Sequence, residues 1–330
     1  MMGRAAGLGK APAIVCDRRW TQLEDTMADA QARIAALLGE SGIETGFAAI
    51  RVETGAEIAV NGAALFPTAS TFKVPVMVEV YAQARAGKFA ITDRIAFEEK
   101  HRILGSGVIQ ALGTGLNPTI RDLMMLMNIV SDNTATDILC DLVGCDNVTA
   151  RMRALGLDDI YAPLPCRGLF RRAWGMSMTA EYSYADFKAA SKAAPMAFTS
   201  GAYARDGSND VTSAHDMARL MALIAQGKAG TAEDCADMIA ILEYQHYQDR
   251  VPRYLPLGSV ANKTGSLRGL RNDVGLIRRG KGDTIAYGLF TLDTTELPHG
   301  NSRELVEANG RINGMMGEVG AVLWEDFARG

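Results

Sequence analysis

The stretch PTASTFKVPVMVEVYAQARAG, at residues 67–87, carries the pattern from which the fold can be argued. It holds Ser70 and Lys73 in an SxxK spacing and continues as a helical run, predicted over 70–86, that ends at Gly87. Three residues of helix place the serine hydroxyl and the lysine amine on one face. A lysine can take the serine proton only where burial or neighbouring charge lowers its pKa. Alone the pattern decides nothing, because a chain of this size contains about one SxxK by chance.

Two tripeptides further along the chain carry similar polar groups. Ser131, Asp132 and Asn133 stand between helices predicted over 119–130 and 134–143, so we expect their side chains in a tight turn. The sequence Lys-Thr-Gly at residues 263–265 lies on a predicted strand, where the glycine leaves room for a substrate backbone at the strand edge. As isolated patterns, an N-cap turn and a plain strand end explain them equally well.

Periodicity outside these patterns predicts an α+β fold. The predicted elements at the two ends of the chain are a helix at 21–38, strands at 46–52, 57–61, 257–266, 271–278 and 284–292, and a final helix at 302–327. They predict one antiparallel sheet of about five strands, flanked by N- and C-terminal helices. We divide the chain into an extension (1–20), a sheet subdomain (21–66 with 250–330) and an all-helical subdomain (67–249) containing a long loop (165–210). A site is expected in the cleft between the two subdomains.

Composition excludes several functional classes. A formal charge of −4 offers no basic field for nucleic acid. No run approaches the roughly 18 apolar residues of a membrane span, and no signal-type apolar core develops near the N-terminus. We therefore expect a cytoplasmic protein as written, and a periplasmic or secreted one only if the true N-terminus differs. Five cysteines without CxxC spacing indicate reduced thiols, and we expect neither a metal nor a cofactor.

Taken together, the patterns SxxK, SDN and KTG, in this order on a helix, a turn and a strand, resemble those of class A β-lactamases and penicillin-binding proteins. Four further stretches are similar to that family: GSGV at 105–108, LMNIVSDNTATDIL at 126–139, DVTSAHDMARL at 210–220 and NKTGSLRGLRNDVGLI at 262–277. The resemblance covers nearly the whole chain. It implies a serine hydrolase that forms a covalent acyl-enzyme.

The resemblance also implies roles for the residues of the first two patterns. Ser70 is then the acylated nucleophile, and Lys73 accepts its proton. Ser131 relays a proton to the departing nitrogen of the substrate. Asn133 holds the amide of the substrate side chain.

The strand residues are implied to bind the other end of the substrate. Lys263, assisted by Thr264, pairs with an anionic group, and backbone N–H groups of Ser70 and Ser266 form the oxyanion hole. Gly265 lies between them on the same strand. Arg271 falls where some family members keep an arginine for the same carboxylate, although an exposed strand arginine is an equally good interpretation.

The resemblance fails in the loop that carries a deacylating glutamate in class A enzymes, about 35 residues after the SDN serine. This chain has Pro-Cys-Arg-Gly at residues 165–168, and no stretch like ExxLN. Glu181 is a candidate replacement base, against the plainer reading of a solvated surface glutamate. Asp210 is expected to close the loop by pairing with Arg167, Arg171 or Arg172.

The loop is longer than is typical of the family and is rich in aromatic and methionine residues. These side chains either wall an apolar substrate or simply pack the insertion together: Trp174, Met176, Met178, Tyr182, Tyr184 and Phe187.

Three functions stay open at this level. The preferred one is hydrolysis of a β-lactam, a related amide or an ester through Ser70, with non-standard deacylation. The second is a peptidase or esterase acting on D-amino acid peptides, which does not need the loop glutamate. The third is a penicillin-binding sensor that is acylated without turnover. In each case the expected partner is a small molecule with an anionic group; the oligomeric state is not indicated.

Overall fold

The computed structural model describes residues 18–296 and 302–327. Seven strands lie in these ranges: β1 (Glu44–Arg51), β2 (Glu57–Val60), β3 (Leu65–Pro67), β4 (Val211–Ser213), β5 (Val260–Leu267), β6 (Leu270–Gly280) and β7 (Asp283–Leu292). Five of them form one antiparallel sheet in the order β2-β1-β7-β6-β5. The predicted α+β fold, with a sheet assembled from both ends of the chain, is confirmed.

Ten α-helices accompany the strands in the described residues. They are α1 (Arg18–Glu40), α2 (Lys73–Arg85), α3 (Ile120–Ile129), α4 (Asn133–Val143), α5 (Cys145–Ala154), α6 (Cys166–Ala173), α7 (Tyr184–Ala193), α8 (Ala214–Ala225), α9 (Ala232–Glu243) and α10 (Arg303–Val322), which continues as a π-helical turn, Leu323–Phe327. None of the helices in the described ranges is long and apolar enough to cross a membrane. The predicted extension lies outside these ranges up to residue 17.

Both faces of the sheet are buried, and β1 shows how. Phe47 and Ala49 face a core shared with α1 and α10. Ala48 and Ile50, which alternate with them, face the larger core shared with the helical part of the chain. The sheet is therefore held from both sides, and the edge strand β5 is left to line a cleft.

The prediction of a long loop over 165–210 is wrong in part. The segment contains the helices α6 and α7, which begin at Cys166 and Tyr184. An antiparallel pairing of β4 with β3, Val211 opposite Pro67, then returns the chain to the main body. This segment is therefore an ordered wall beside the sheet edge.

Candidate active site

Ser70 lies in a strained turn. A 3₁₀ turn, Ala69–Phe72, precedes α2, which begins at Lys73 rather than at the predicted residue 70. Ala69 has φ of 45°, an uncommon value for a residue with a Cβ. The turn is anchored from below, because the backbone N–H of Thr68 donates to the carbonyl of Asp210 at 2.9 Å. Strain of this kind fixes the position of a side chain that must be held for chemistry.

Two buried lysines converge on one serine hydroxyl. The Nζ atom of Lys73 lies 3.1 Å from Ser131 Oγ and donates to the Ser131 carbonyl and to Asn133 Oδ1, both at 2.8 Å. The Nζ atom of Lys263 lies 3.1 Å from the same Ser131 Oγ and donates to the Thr264 carbonyl at 2.6 Å. Ser70 and Ser131 line one cavity, so the structure brings together the four residues predicted to act in catalysis.

Both lysines lie in surroundings that lower their pKa. Both side chains are fully buried. Burial lowers the pKa of Lys73, against the opposing influence of Cys166 and Asp132. Burial, followed by repulsion from Lys73, holds the pKa of Lys263 well below its usual value. A buried amine with a lowered pKa can take a proton from a nearby hydroxyl.

The turn at residues 131–133 is built as predicted, between α3 and α4. Ser131 has φ of 54°, and Asp132 caps α4 by accepting from the Ala135 N–H. The other Asp132 oxygen accepts from the N–H groups of Val108 and Ile109. A Cβ on Gly107 would stand 2.3 Å from Asp132, so a glycine is needed there. Asp132 is thus structural, and it holds the 105–109 loop against the site.

Asn133 lines the cavity, but both ends of its amide are already bonded. Its Oδ1 accepts from Lys73, and its Nδ2 donates to the carbonyl of Leu104 at 3.0 Å. Nδ2 carries a second N–H group besides the one that donates to Leu104, and this group can donate to a substrate amide. The geometry therefore assigns it first to the orientation of Lys73.

Gly265 was predicted to leave room for a substrate backbone, but the structure shows a different reason for a glycine here. A Cβ at this position would lie 2.6 Å from the carbonyl oxygen of Thr68, so the glycine lets β5 approach the Ser70 turn. Thr264 and Ser266 line the cavity and Gly265 is not among the lining residues. The glycine makes room for the protein backbone rather than for a ligand.

Two arginines share one hydroxyl at the far end of the cavity. Arg271 Nη1 donates to Ser266 Oγ at 3.3 Å, and its Nε donates to Asn309 Oδ1. Arg250, which the sequence did not single out, is buried and donates to the same Ser266 Oγ and to the Gly265 carbonyl at 2.7 Å. Burial, with repulsion from Arg271, lowers the pKa of Arg250 to about 10. The cavity thus has a cationic end that suits an anionic group.

Cys166 lies on the cavity wall, in the segment where the resemblance placed a glutamate. The Cys166 and Arg167 N–H groups donate to the Asp137 carboxylate at 2.6 and 3.0 Å, which fixes the start of α6. Burial raises the pKa of the Cys166 thiol well above its usual range, so the thiol stays protonated at neutral pH. Glu181 is exposed and is not among the residues that line the cavity, so the structure does not support it as the replacement base.

The prediction that Asp210 pairs with Arg167, Arg171 or Arg172 is also wrong. The carboxylate of Asp210 is buried and accepts from the N–H of Leu164 at 3.0 Å. Arg167 pairs instead with Asp141 and, at 3.6 Å, with Asp137. Arg167 therefore ties α6 to α4, and the base of the insertion is closed by backbone bonds.

The insertion supplies one wall of the catalytic cavity, which has a volume of about 550 Å³. Phe170 and Trp174 stack with ring centroids 5.4 Å apart, and both line the cavity. Tyr182 and Phe187 pack edge to face inside the insertion itself. Both interpretations of the aromatic residues therefore apply, each to a different part of the segment.

The fold is a five-stranded antiparallel sheet beside a set of helices, and a serine, two lysines and a second serine lie where the two parts meet. Class A β-lactamases and penicillin-binding proteins have this fold and this set of residues. The chain belongs to the Beta-lactamase enzyme family, whose sequence model matches residues 29–326. A β-lactamase of Rhodobacter capsulatus is 30% identical over 155 residues, 47% of this chain and 50% of the relative. The chain thus matches about half the length of that curated relative.

Solved structures resemble the chain over most of its length. The crystal structure of a β-lactamase from Sphaerobacter thermophilus DSM 20745 has a TM-score of 0.66 and 29% identity, and the match covers 91% of this chain and 95% of that one. A variant of PBP-A, solved as an acyl-enzyme complex with penicillin-G, has a TM-score of 0.68 and 19% identity over 91% and 96% of the two chains. At that identity the second likeness shows the fold alone.

Proposed function

We propose that this protein is a serine hydrolase that cleaves a β-lactam, a related amide or an ester through an acyl-enzyme on Ser70. The observation that carries the proposal is the position of Ser131 Oγ, 3.1 Å from the Nζ atoms of both Lys73 and Lys263. A hydroxyl placed between two amines of lowered pKa can pass a proton in either direction. This is the arrangement that acyl transfer to a serine requires.

The acylation step is assigned to Ser70, Lys73, Ser131 and the backbone of Ser266. Uncharged Lys73 takes the proton of Ser70 as its Oγ attacks the substrate carbonyl carbon, forming the new C–O bond. Backbone N–H groups of Ser70 and Ser266 stabilise the negative oxygen that develops. Ser131 gives its proton to the leaving nitrogen or oxygen as the scissile bond breaks, and the proton held by Lys73 replaces it.

Binding of the anionic end of the substrate is assigned to Lys263, Thr264, Arg271 and Arg250. Both guanidinium groups reach Ser266 Oγ, so an anion beside that hydroxyl meets two cations. Charge-assisted hydrogen bonds of this kind are about twice as strong as neutral ones. An anion at this end also leaves the substrate carbonyl near the Ser266 N–H.

Deacylation is expected to be slow. Cys166 is protonated, and it stands on the cavity wall where class A enzymes have a carboxylate. Water then attacks the Ser70 ester without the base that those enzymes use. This favours a second candidate function, a protein that is acylated by β-lactams and returns to the free form only slowly.

Mixing the protein with a chromogenic cephalosporin and with 4-nitrophenyl acetate tests the first proposal. We expect a release of chromophore that Ser70→Ala abolishes and that Ser191→Ala, an exposed change at the cavity rim, leaves within about twofold. If neither compound reacts, or if Ser70→Ala reacts as the unchanged protein does, the proposal is refuted.

Intact-protein mass spectrometry after a pulse of penicillin-G separates the two candidates. A mass increase on Ser70 that persists for hours supports the acylated sensor. A return to the free mass within seconds supports a turning-over hydrolase.

A further inference from the structure

A second cavity, of about 560 Å³, adjoins the catalytic one on the side away from Ser131. It lies between the end of α7, the β5–β6 turn and α10. Its walls include six apolar side chains: Ala194, Met196, Phe198, Leu305, Ala308 and Ile312. Polar and charged side chains line it as well: Lys192, Arg268, Arg271, Asp293, Thr295 and Asn309. Catalysis as described above uses none of the six apolar residues.

The two cavities have a common wall. Ser191, Met196, Ser266, Leu267 and Arg271 line both. A ligand held at Ser266 in the catalytic cavity is therefore already at the entrance of the second one. Met196 and Leu267 give this passage an apolar side, and Ser191, Ser266 and Arg271 give it a polar side.

The wall of the second cavity is fixed in place by contacts around the β5–β6 turn. Arg268 donates to the Met196 carbonyl at 3.1 Å, and its guanidinium lies 4.6 Å from the Phe198 ring centroid. The Tyr203 hydroxyl donates to the Arg268 carbonyl at 2.7 Å. A Cβ on Gly269 would stand 2.1 Å from the Asp293 carbonyl, so the turn fits closely against its surroundings. The cavity is thus preformed, as small-molecule sites usually are.

We propose that the second cavity binds the acyl part of the substrate, and that this part is an extended apolar chain of several carbons beyond the reacting carbonyl. The proposal rests on the function proposed above, because it needs the carbonyl at the oxyanion hole. Ser266, whose N–H is assigned to the oxyanion hole, lines both cavities, whereas Ser131, which is assigned to protonate the leaving group, lines only the catalytic one. The leaving group therefore departs on the Ser131 side, and the acyl chain points past Leu267 into the second cavity.

A series of 4-nitrophenyl esters from acetate to decanoate, below their aggregation concentrations, tests this chain-length preference. We expect kcat/KM for acylation, divided by the rate with hydroxide alone, to rise up to about fourfold for each CH₂ that enters the cavity, equivalent to about 0.8 kcal/mol. Ala194→Trp fills the cavity from an exposed position outside the catalytic machinery. It should flatten the rise and leave the acetate rate within about twofold. Ala180→Trp, an exposed change in the same insertion that touches neither cavity, should keep the full rise.

The outcomes distinguish this inference from the function on which it rests. If acetate acylates Ser70 but kcat/KM does not increase with chain length, the acyl-chain cavity is overturned and the hydrolase stands. The same holds if the rise survives Ala194→Trp unchanged. If no ester and no β-lactam acylates Ser70, both proposals fall together.

Discussion

Replacing Cys166 by glutamate should convert a long-lived acyl-enzyme into one that is hydrolysed quickly. The thiol of Cys166 lies on the wall of the cavity that contains Ser70, and it is close enough to Lys73 for each group to affect the pKa of the other. A carboxylate here would extend from a backbone already fixed by Asp137. A base placed this close to the ester can direct water onto the carbonyl carbon, as the loop glutamate does in class A enzymes.

We expect the lifetime of the adduct to decrease by a factor of about 10² to 10⁴, which is the usual contribution of a general base. Two features of the site place the result in the lower half of that range. Burial already raises the pKa of Asp137 to about 6, and a second carboxyl group beside it raises both pKa values further. The larger side chain extends into a cavity of about 550 Å³, so we expect a stability cost of no more than ~1–3 kcal/mol.

The assay is the time course of the penicillin-G adduct by intact-protein mass spectrometry after excess drug is removed. Cys166→Gln is the matched control, because it has nearly the same size and no base. Thermal unfolding and the acylation rate show whether each variant keeps a working site. If Cys166→Glu and Cys166→Gln acylate at the original rate but lose the adduct equally slowly, the reasoning about this position is wrong.

Three further predictions concern binding, packing and protonation. Arg271→Ala should raise KM for a carboxylate-bearing β-lactam about tenfold to a hundredfold, because one charge-assisted hydrogen bond is lost. KM for the neutral 4-nitrophenyl acetate should stay within about twofold. Equal effects on both substrates would contradict this prediction. Gly107→Ala should lower the free energy of unfolding in urea by about 2–4 kcal/mol, because φ of Gly107 is 104° and an added Cβ would overlap Asp132. The control variant Gly113→Ala, which has open space around it, should change this free energy by less than about 0.5 kcal/mol. The acylation rate should rise with pH and level off below 10.5, because burial lowers the pKa of Lys73 and its amine acts as the base; an inflection at 10.5 in a pH profile would contradict that role.

Much of the fold could be predicted because local patterns carry it. The strand predicted at 46–52 corresponds to β1, and the capping box of Thr119 with Asp122 is present at the start of α3. The missed helices α7 and α9 also begin with capping boxes, at Ser183 and Thr231, so a signal for them existed in the sequence. The strands β3 and β4 have three residues each, too short for a period of two to be visible.

The helix α6 could not be predicted, because its start depends on a distant residue. Pro165 precedes it and provides no side-chain cap. The acceptor for its first N–H groups is Asp137 of α4, almost thirty residues earlier in the chain. A contact of this kind becomes visible only when the chain has folded.

The candidate site also contains residues that local patterns predict and residues that only the folded chain brings together. The three patterns locate Ser70, Lys73, Ser131 and Lys263, since each pattern places a polar group at the end of a recognisable element. Arg250 was missed because its guanidinium is placed by the carbonyl of Gly265 on β5, fifteen residues along the chain, and no local spacing indicates that contact. The expected ion pair of Asp210 failed because the candidate arginines bond elsewhere. Arg167 pairs with Asp141 and Asp137, and Arg172 donates to the Gly201 carbonyl and to Ser208 Oγ.

The hydrogen bonds of Lys73 explain why acylation and deacylation need different groups here. Its three acceptors are the carbonyl and hydroxyl of Ser131 and the amide oxygen of Asn133, all of them uncharged. An uncharged acceptor stabilises an ammonium ion less than a carboxylate does, so burial still lowers the pKa of Lys73. A lowered pKa suits an amine that must remove the Ser70 proton. Cys166 carries its own proton and cannot serve as a base for the attacking water, which is why the balance between the two half-reactions should turn on residue 166.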